Sequence, residues 1–276
     1  GASGDMLLGA FLDLGVPLDA LVAELNNAGI CGFTLFTNQD TRCEIRGTKL
    51  DVALDDPKRL SPHSLLAAIS GSSLGPGVKG SAEKVLTALW KAESRVHGEP
   101  PEALELEELG TIDTLVDVVG VAICLDYLGV DQVYAAPLVL GESAPPRWAG
   151  GYSNPAPATL ELVTMAGAPI VADRPLYLGS GELTTPTGAA IITTLADFQR
   201  PAMSVARIGV GLGSKDPENF PNVIRVWLGE TTDAPDLRSQ AGIVLLETNL
   251  DDVTGEVLGY TQERLFGLGA FDVWHT

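Results

Sequence analysis

The sequence is poor in cysteine and histidine, the side chains that form disulfides in secreted proteins and bind transition metals. Its 276 residues include three cysteines and three histidines. Cys31, Cys43 and Cys124 are far apart and form no CxxC pair. This pattern argues against a disulfide framework and is typical of a protein from a reducing cytoplasm. The histidines are widely spaced as well, so the sequence offers no histidine cluster for a metal and no Ser/His/Asp set for catalysis.

Positive charge is also scarce. Lysine and arginine number 17 against 36 aspartates and glutamates, which gives a formal net charge of −19. Such a surface repels nucleic-acid phosphates and anionic membranes, so we expect neither as a partner. The most apolar long stretch, 115–130, is interrupted by Asp117 and Asp126. It therefore predicts a buried helix and not a membrane span.

The length suits two domains, and helical and strand patterns alternate irregularly along the chain. We predict a mixed α/β (α+β) fold with layers of helix and sheet. The polar run TTDAPDLRSQ indicates a linker at 231–240, which separates a large domain at 1–230 from a partial domain at 241–276. Both ends of the chain have the character of structure cut short, and we expect the natural protein to extend beyond them.

An acidic segment at 104–120, LELEELGTIDTLVDVVG, is the first candidate site. Its first four residues predict a short strand with Glu105 and Glu107 on one face. Glu108 and Asp113 flank a glycine turn, and Asp117 follows one helical turn later. Oxygen ligands grouped in this way suit Mg²⁺, Ca²⁺ or Mn²⁺ better than nickel. The alternative, which the residues alone favour, is an exposed acidic edge followed by a helix start that prefers acids.

Three other stretches place potential ligands at predicted helix starts. Backbone N–H groups in GASGDM and hydroxyls in GELTTPTGAA are suited to anions, while oxygens in ETNLDD are suited to Mg²⁺ beside a nucleotide. Ordinary helix capping is the alternative at each. The candidate residues are Ser3, Gly4 and Asp5 in the first stretch, Thr185 and Thr187 in the second, and Asn249, Asp251 and Asp252 in the third.

The motif GVGLG at 209–213 is a fifth candidate, and we reject a nucleotide-binding role for it. A dinucleotide fingerprint needs a helix after the glycines, whereas the sequence predicts a loop, SKDPENFP, and then another strand. Lys215 and Arg225 near this motif are among the few cations that could meet an anion.

Taken together, six blocks resemble the LarC nickel-insertion proteins. In order along the chain they are SGDMLLGAFLDLG, ELGTIDTLVDVVG, NPAPATLELVTMAGAPI, GELTTPTGAAII, GVGLGSKD with PNVIRV, and ETNLDDVTGEVLGYTQERLF. The resemblance implies a cytoplasmic, CTP-dependent, metal-inserting lyase. Its substrate would be pyridinium-3,5-bisthiocarboxylic acid mononucleotide, and its product the nickel-pincer cofactor of lactate racemase-type enzymes. It also implies a small ferredoxin-like C-terminal domain that binds CTP with Mg²⁺ or Mn²⁺.

The resemblance also assigns roles to the candidate residues. It implies catalytic roles for Asp5, Glu108 and Asp113, and substrate or CTP contacts for the candidates at the three helix starts. The implied metal ligands are Glu105, Glu107, Glu108, Asp113 and Asp117. The family tends to carry a His-x-His-Glu stretch here, so Glu105 and Glu107 stand in place of histidines and Glu108 matches. This departure weakens nickel and strengthens Mg²⁺ or Mn²⁺ at this position.

Two other functions remain open from the sequence. One is a non-catalytic carrier or store of divalent metal, and the other is a degenerate paralogue with an assembly role. As partners we expect the pincer mononucleotide precursor, CTP and the recipient racemase, and we expect the chain to form a homo-oligomer.

Overall fold

The computed structural model describes residues 1–56, 59–106, 109–141, 154–171, 180–232 and 254–274. Contacts divide the chain into two compact units, Gly1–Thr232 and Asp233–Thr276. The first unit holds all of the described strands and all described helices but one. The elements within the described residues show a mixed α/β fold, as the sequence predicts.

The α-helices of the first unit follow the predicted periodic segments. They are α1 (Gly4–Asp13), α2 (Leu18–Asn27), α3 (Pro62–Ser70), α4 (Pro76–His97), α5 (Ile112–Tyr127), α6 (Pro157–Ala166) and α7 (Pro186–Leu195). The described part of the second unit contains α8 (Gly255–Gly267), which confirms the helix predicted there. None of the helices in the described ranges is both long enough and apolar enough to cross a membrane.

A four-stranded mixed sheet lies beside these helices. Its strands are β1 (Phe33–Arg42), β2 (Ile45–Leu54), β5 (Met203–Leu212) and β6 (Val223–Thr231), in the order β1-β2-β5-β6. The pairs β1/β2 and β5/β6 are antiparallel, while β2 and β5 run parallel. A separate two-stranded parallel ribbon joins β3 (Val133–Tyr134) to β4 (Ala196–Asp197).

The glycines of the GVGLG motif allow α1 to approach the sheet closely. A Cβ atom on Gly211 would lie 1.8 Å from the carbonyl oxygen of Met6, and one on Gly209 would lie 2.1 Å from that of Ala10. Both glycines belong to β5, and a loop leads from β5 into β6. The loop and the strand predicted after these glycines are therefore confirmed, and the motif serves helix-to-sheet packing.

The core lies between the sheet and the helices. Helix α5 is buried along most of its length, from Thr114 to Cys124. Side chains of four helices are fully buried there with it, including Leu8, Leu21, Leu89 and Leu162. The buried helix predicted at 115–130 is confirmed, and its burial explains why so apolar a segment carries few charges.

The short strand predicted at the start of the acidic segment is wrong. Residues 104–106 lie outside any strand, although Leu104 and Leu106 are buried and Glu105 is exposed. Alternation correctly indicated burial, but no neighbouring strand pairs with this segment among the described residues. In the following apolar run at 132–141 the described strand is confined to β3, since Pro137 interrupts the run and Leu138 makes an isolated bridge to Ile170.

Candidate functional site

The starts of α1 and α7 lie side by side. Ala2 forms a parallel bridge with Thr184: its N–H donates to the Leu183 carbonyl at 2.9 Å, and its own carbonyl accepts from the Thr185 N–H at 3.0 Å. A Cβ on Gly188 would lie 2.3 Å from the Ala2 carbonyl oxygen. The candidate stretches GASGDM and GELTTPTGAA therefore meet in the fold, and two helix N-termini with their N–H groups lie next to each other.

The first turns of α5 contribute two aspartates to the same place. Asp117 is packed against the start of α1, since a Cβ on Gly4 would lie 2.1 Å from both its Cγ and its Oδ2 atom. Asp117 is buried, and its Oδ1 has no hydrogen-bond partner in the part of the chain that the structure describes. A buried acceptor without a partner costs about 1–3 kcal/mol, which a bound ligand would offset.

The charges of Asp5, Asp113 and Asp117 influence one another. Burial raises the pKa of Asp113, and the nearby Asp5 carboxylate raises it further. Burial also raises the pKa of Asp117 well above its ordinary value, with added repulsion from Asp113 and Asp5 and a partly opposing effect of Lys49. The sequence predicted Asp113 and Asp117 on one helix face, and the structure adds Asp5 from another helix. These three residues form what we call the aspartate cluster.

Lys49 on β2 is a member of this site that sequence reasoning missed. Its Nζ atom lies 2.9 Å from Asp5 Oδ2 and 3.0 Å from Asp51 Oδ1, and it also donates to the Leu50 carbonyl oxygen. Burial alone lowers the pKa of Lys49, but the Asp5 and Asp51 carboxylates more than offset this, so the pKa is raised. Sequence analysis drew attention to lysines only because basic residues are scarce. No local pattern connected Lys49 with Asp5.

The Ser3 and Thr185 hydroxyl groups at the two helix starts already have partners. Ser3 occupies the N-cap position of α1, but its hydroxyl donates to Asp5 Oδ1 and caps no backbone N–H. Thr185 caps α7 by accepting from the Gly188 N–H at 3.2 Å, and Thr187 is buried in the first turn. Lys215 donates to the backbone carbonyls of Ser180 and Glu182, so the loop after β5 is held close to the chain that leads into α7.

Glu105 has other neighbours than the aspartate cluster. It lines a depression of about 370 Å³ together with His97, Glu99, Ala103 and Leu104, and none of the aspartates lines this depression. Glu107 and Glu108 lie outside the described residues, as do Asn249, Asp251 and Asp252. Their roles as metal or CTP contacts stay predictions. Across the described ranges, no three histidine, cysteine, aspartate or glutamate side chains are placed to hold a metal ion.

The fold and the cluster define a mixed α/β protein in which one buried and two partly exposed carboxylates meet at adjoining helix starts. Its sequence matches the family model described as nickel insertion protein over residues 1–276. The chain belongs to the nickel insertion protein family. No solved structure is significantly similar to it.

Several relatives, whose names refer to nickel insertion, are similar over the whole chain. A protein from Roseiflexus castenholzii is 42% identical over 277 residues, covering 100% of this chain and 69% of the relative. One from Citrifermentans bemidjiense is 40% identical, covering 99% of this chain and 70% of the relative. One from Dictyoglomus thermophilum is 37% identical, with 100% and 70% covered. The resemblance drawn from six motifs is thus confirmed, and family membership implies that the protein handles nickel.

Proposed function

We propose that the protein inserts nickel into pyridinium-3,5-bisthiocarboxylic acid mononucleotide in a CTP-dependent reaction. The product is the nickel-pincer cofactor of lactate racemase-type enzymes, and the protein acts as a metal-inserting lyase in the cytoplasm. The observation that carries this proposal is the aspartate cluster, placed at two adjoining helix N-termini in a chain of the nickel insertion family.

The cluster supplies what a dication needs. Carboxylate oxygens bind divalent ions, and the buried Oδ1 atom of Asp117 has no hydrogen bond to lose when it does so. Asp117 is buried, whereas Asp5 and Asp113 are partly exposed, so the cluster is open to solvent at these two residues. This cluster therefore serves as the place where nickel is held before transfer.

The adjoining helix starts supply what an anionic substrate needs. N–H groups at the beginnings of α1 and α7 favour phosphate or carboxylate locally, although the protein as a whole is strongly negative. Nickel and the mononucleotide would then be bound within the same site. Holding two reactants in one geometry is where most of the rate advantage would arise.

The chemical step also needs a proton acceptor. Insertion forms a bond between nickel and a ring carbon, and the proton on that carbon must pass to a base. Asp113 and Asp117 are candidates, because burial raises the pKa of each carboxyl group and so makes its ionised form a stronger base. CTP with Mg²⁺ or Mn²⁺ would bind through Asn249, Asp251 and Asp252, and the cofactor would be passed to a recipient racemase.

A coupled assay with the pincer mononucleotide, CTP and Ni²⁺ tests this function. We expect CTP-dependent formation of the pincer cofactor, and at least a hundredfold loss of rate in Asp113→Asn. The matched control is Asp126→Asn, which makes the same change at an exposed position near the end of the same helix. Turnover that survives Asp113→Asn would remove the cluster from the reaction. Stoichiometric nickel uptake that is indifferent to CTP would identify a carrier instead.

A further inference from the structure

Both oxygens of Asp5 are already engaged. Oδ1 accepts from the Ser3 hydroxyl, and Oδ2 accepts from the Lys49 ammonium group at 2.9 Å. Each oxygen retains a further lone pair, so charge, and not a lack of acceptors, opposes a cation that is to bind Asp5 together with Asp113 and Asp117. The Lys49 ammonium is the donor that competes with a cation by charge.

The Lys49 ammonium is fully coordinated as it stands. An ammonium group has three N–H donors, and here they face Asp5, Asp51 and the Leu50 carbonyl. The Lys49 side chain is only 10% exposed, whereas that of Asp51 is 63% exposed. Asp51 thus offers a second anchor toward solvent, to which the ammonium can remain bound after it leaves Asp5.

We propose that Lys49 is a built-in countercation of the aspartate cluster, which a divalent metal ion must displace from Asp5 in order to bind. The inference rests on the proposed function for its choice of nickel as the ion. Among the described residues no three histidine, cysteine, aspartate or glutamate side chains are placed to hold a metal, and Asp5 is paired with Lys49. A metal bound in this way gives the unpartnered Oδ1 of Asp117 a ligand once Asp5 is released.

The first test measures the binding of Ni²⁺ alone to the full chain by isothermal titration calorimetry at pH 7. Lys49→Met removes the competing charge and retains much of the apolar stem. We expect its Kd for Ni²⁺ to fall at least tenfold below that of the wild type. Lys79→Met is the matched control, since the Lys79 ammonium donates to the Ser70 carbonyl and to no carboxylate among the described residues, so its loss should leave the Kd unchanged. An equal or weaker affinity of Lys49→Met, or no binding to either protein, overturns the proposal.

The second test uses the wild-type chain and so does not depend on whether a variant folds. Amine labelling followed by mass spectrometry reports how accessible Lys49 is with and without saturating Ni²⁺. We expect its labelling to rise severalfold on addition of Ni²⁺ while that of Lys79 stays constant. Unchanged labelling of Lys49 contradicts displacement. Neither test requires turnover, so failure of the insertion assay with success here would overturn the proposed function and leave the countercation in place.

Discussion

Replacement of Gly4 by alanine tests how the site is built. The new Cβ would lie 2.1 Å from Cγ and Oδ2 of Asp117 and 2.5 Å from its Cβ. Ordinary carbon–carbon contacts lie at about 3.5–4.0 Å, so α1 and α5 must shift relative to each other. Rotation of the Asp117 side chain cannot relieve the overlap, because its own Cβ takes part in it.

The expected cost follows from these distances. Overpacking of this kind costs about 1–3 kcal/mol, and the short distance to Cβ places Gly4→Ala near the upper end. The better helix propensity of alanine offsets about 0.5–1 kcal/mol of this cost. We therefore expect a net loss of about 2 kcal/mol in the free energy of unfolding, which lowers Tm by about 4–8 °C in a unit of this size.

A double-mutant cycle followed by urea and thermal unfolding provides the measurement. Asp117→Gly removes all three of the atoms that the new Cβ would meet. In that background Gly4→Ala should stabilise by about 0.5–1 kcal/mol through helix propensity alone, so the coupling energy between the two positions should be about 2.5–3 kcal/mol. Equal costs in the two backgrounds, or a neutral Gly4→Ala in the wild type, would refute the placement of Asp117 against the start of α1.

Three further predictions concern stability. Gly211→Ala should cost about 3 kcal/mol or more, because its Cβ would lie 1.8 Å from a backbone oxygen. Gly80→Ala, in the open interior of α4, should instead stabilise the protein by about 0.5–1 kcal/mol. Urea unfolding of both variants measures the difference. Thr185→Ala should cost about 1 kcal/mol through loss of the α7 cap, and an unchanged denaturation midpoint would contradict that role. Burial raises the pKa of Glu93 above its ordinary value of 4.5, with His97 partly opposing it. As pH rises above 4.5, ionisation of this buried carboxyl group lowers the free energy of unfolding. Glu93→Gln should therefore raise Tm more at pH 7.5 than at pH 4. A pH-independent effect would refute this last prediction.

The acidic segment shows what a local sequence pattern can predict and what it cannot. Alternation in LELE correctly separated buried Leu104 and Leu106 from exposed Glu105, but it predicted a strand that does not form. Alternating burial shows which side chains face the core. A strand also needs a neighbouring strand to pair with, and the sequence of the segment does not determine whether one is present.

The sequence by itself determined most of the elements and the character of the chain. Helical periodicity, helix-ending glycines and the excess of acids are local or additive properties, so they predicted the helices, the mixed α/β class and a surface unsuited to nucleic acid. The order of six motifs was enough to indicate the family. Only the tertiary structure decided which charges meet. Asp5 and Lys49 are 44 positions apart and belong to a helix and a strand, and Asp117 comes from a third element. Their contact depends on the close approach of α1 to the sheet and to α5, which Gly4 and Gly211 permit, and such packing is a property of the whole fold and not of any one segment.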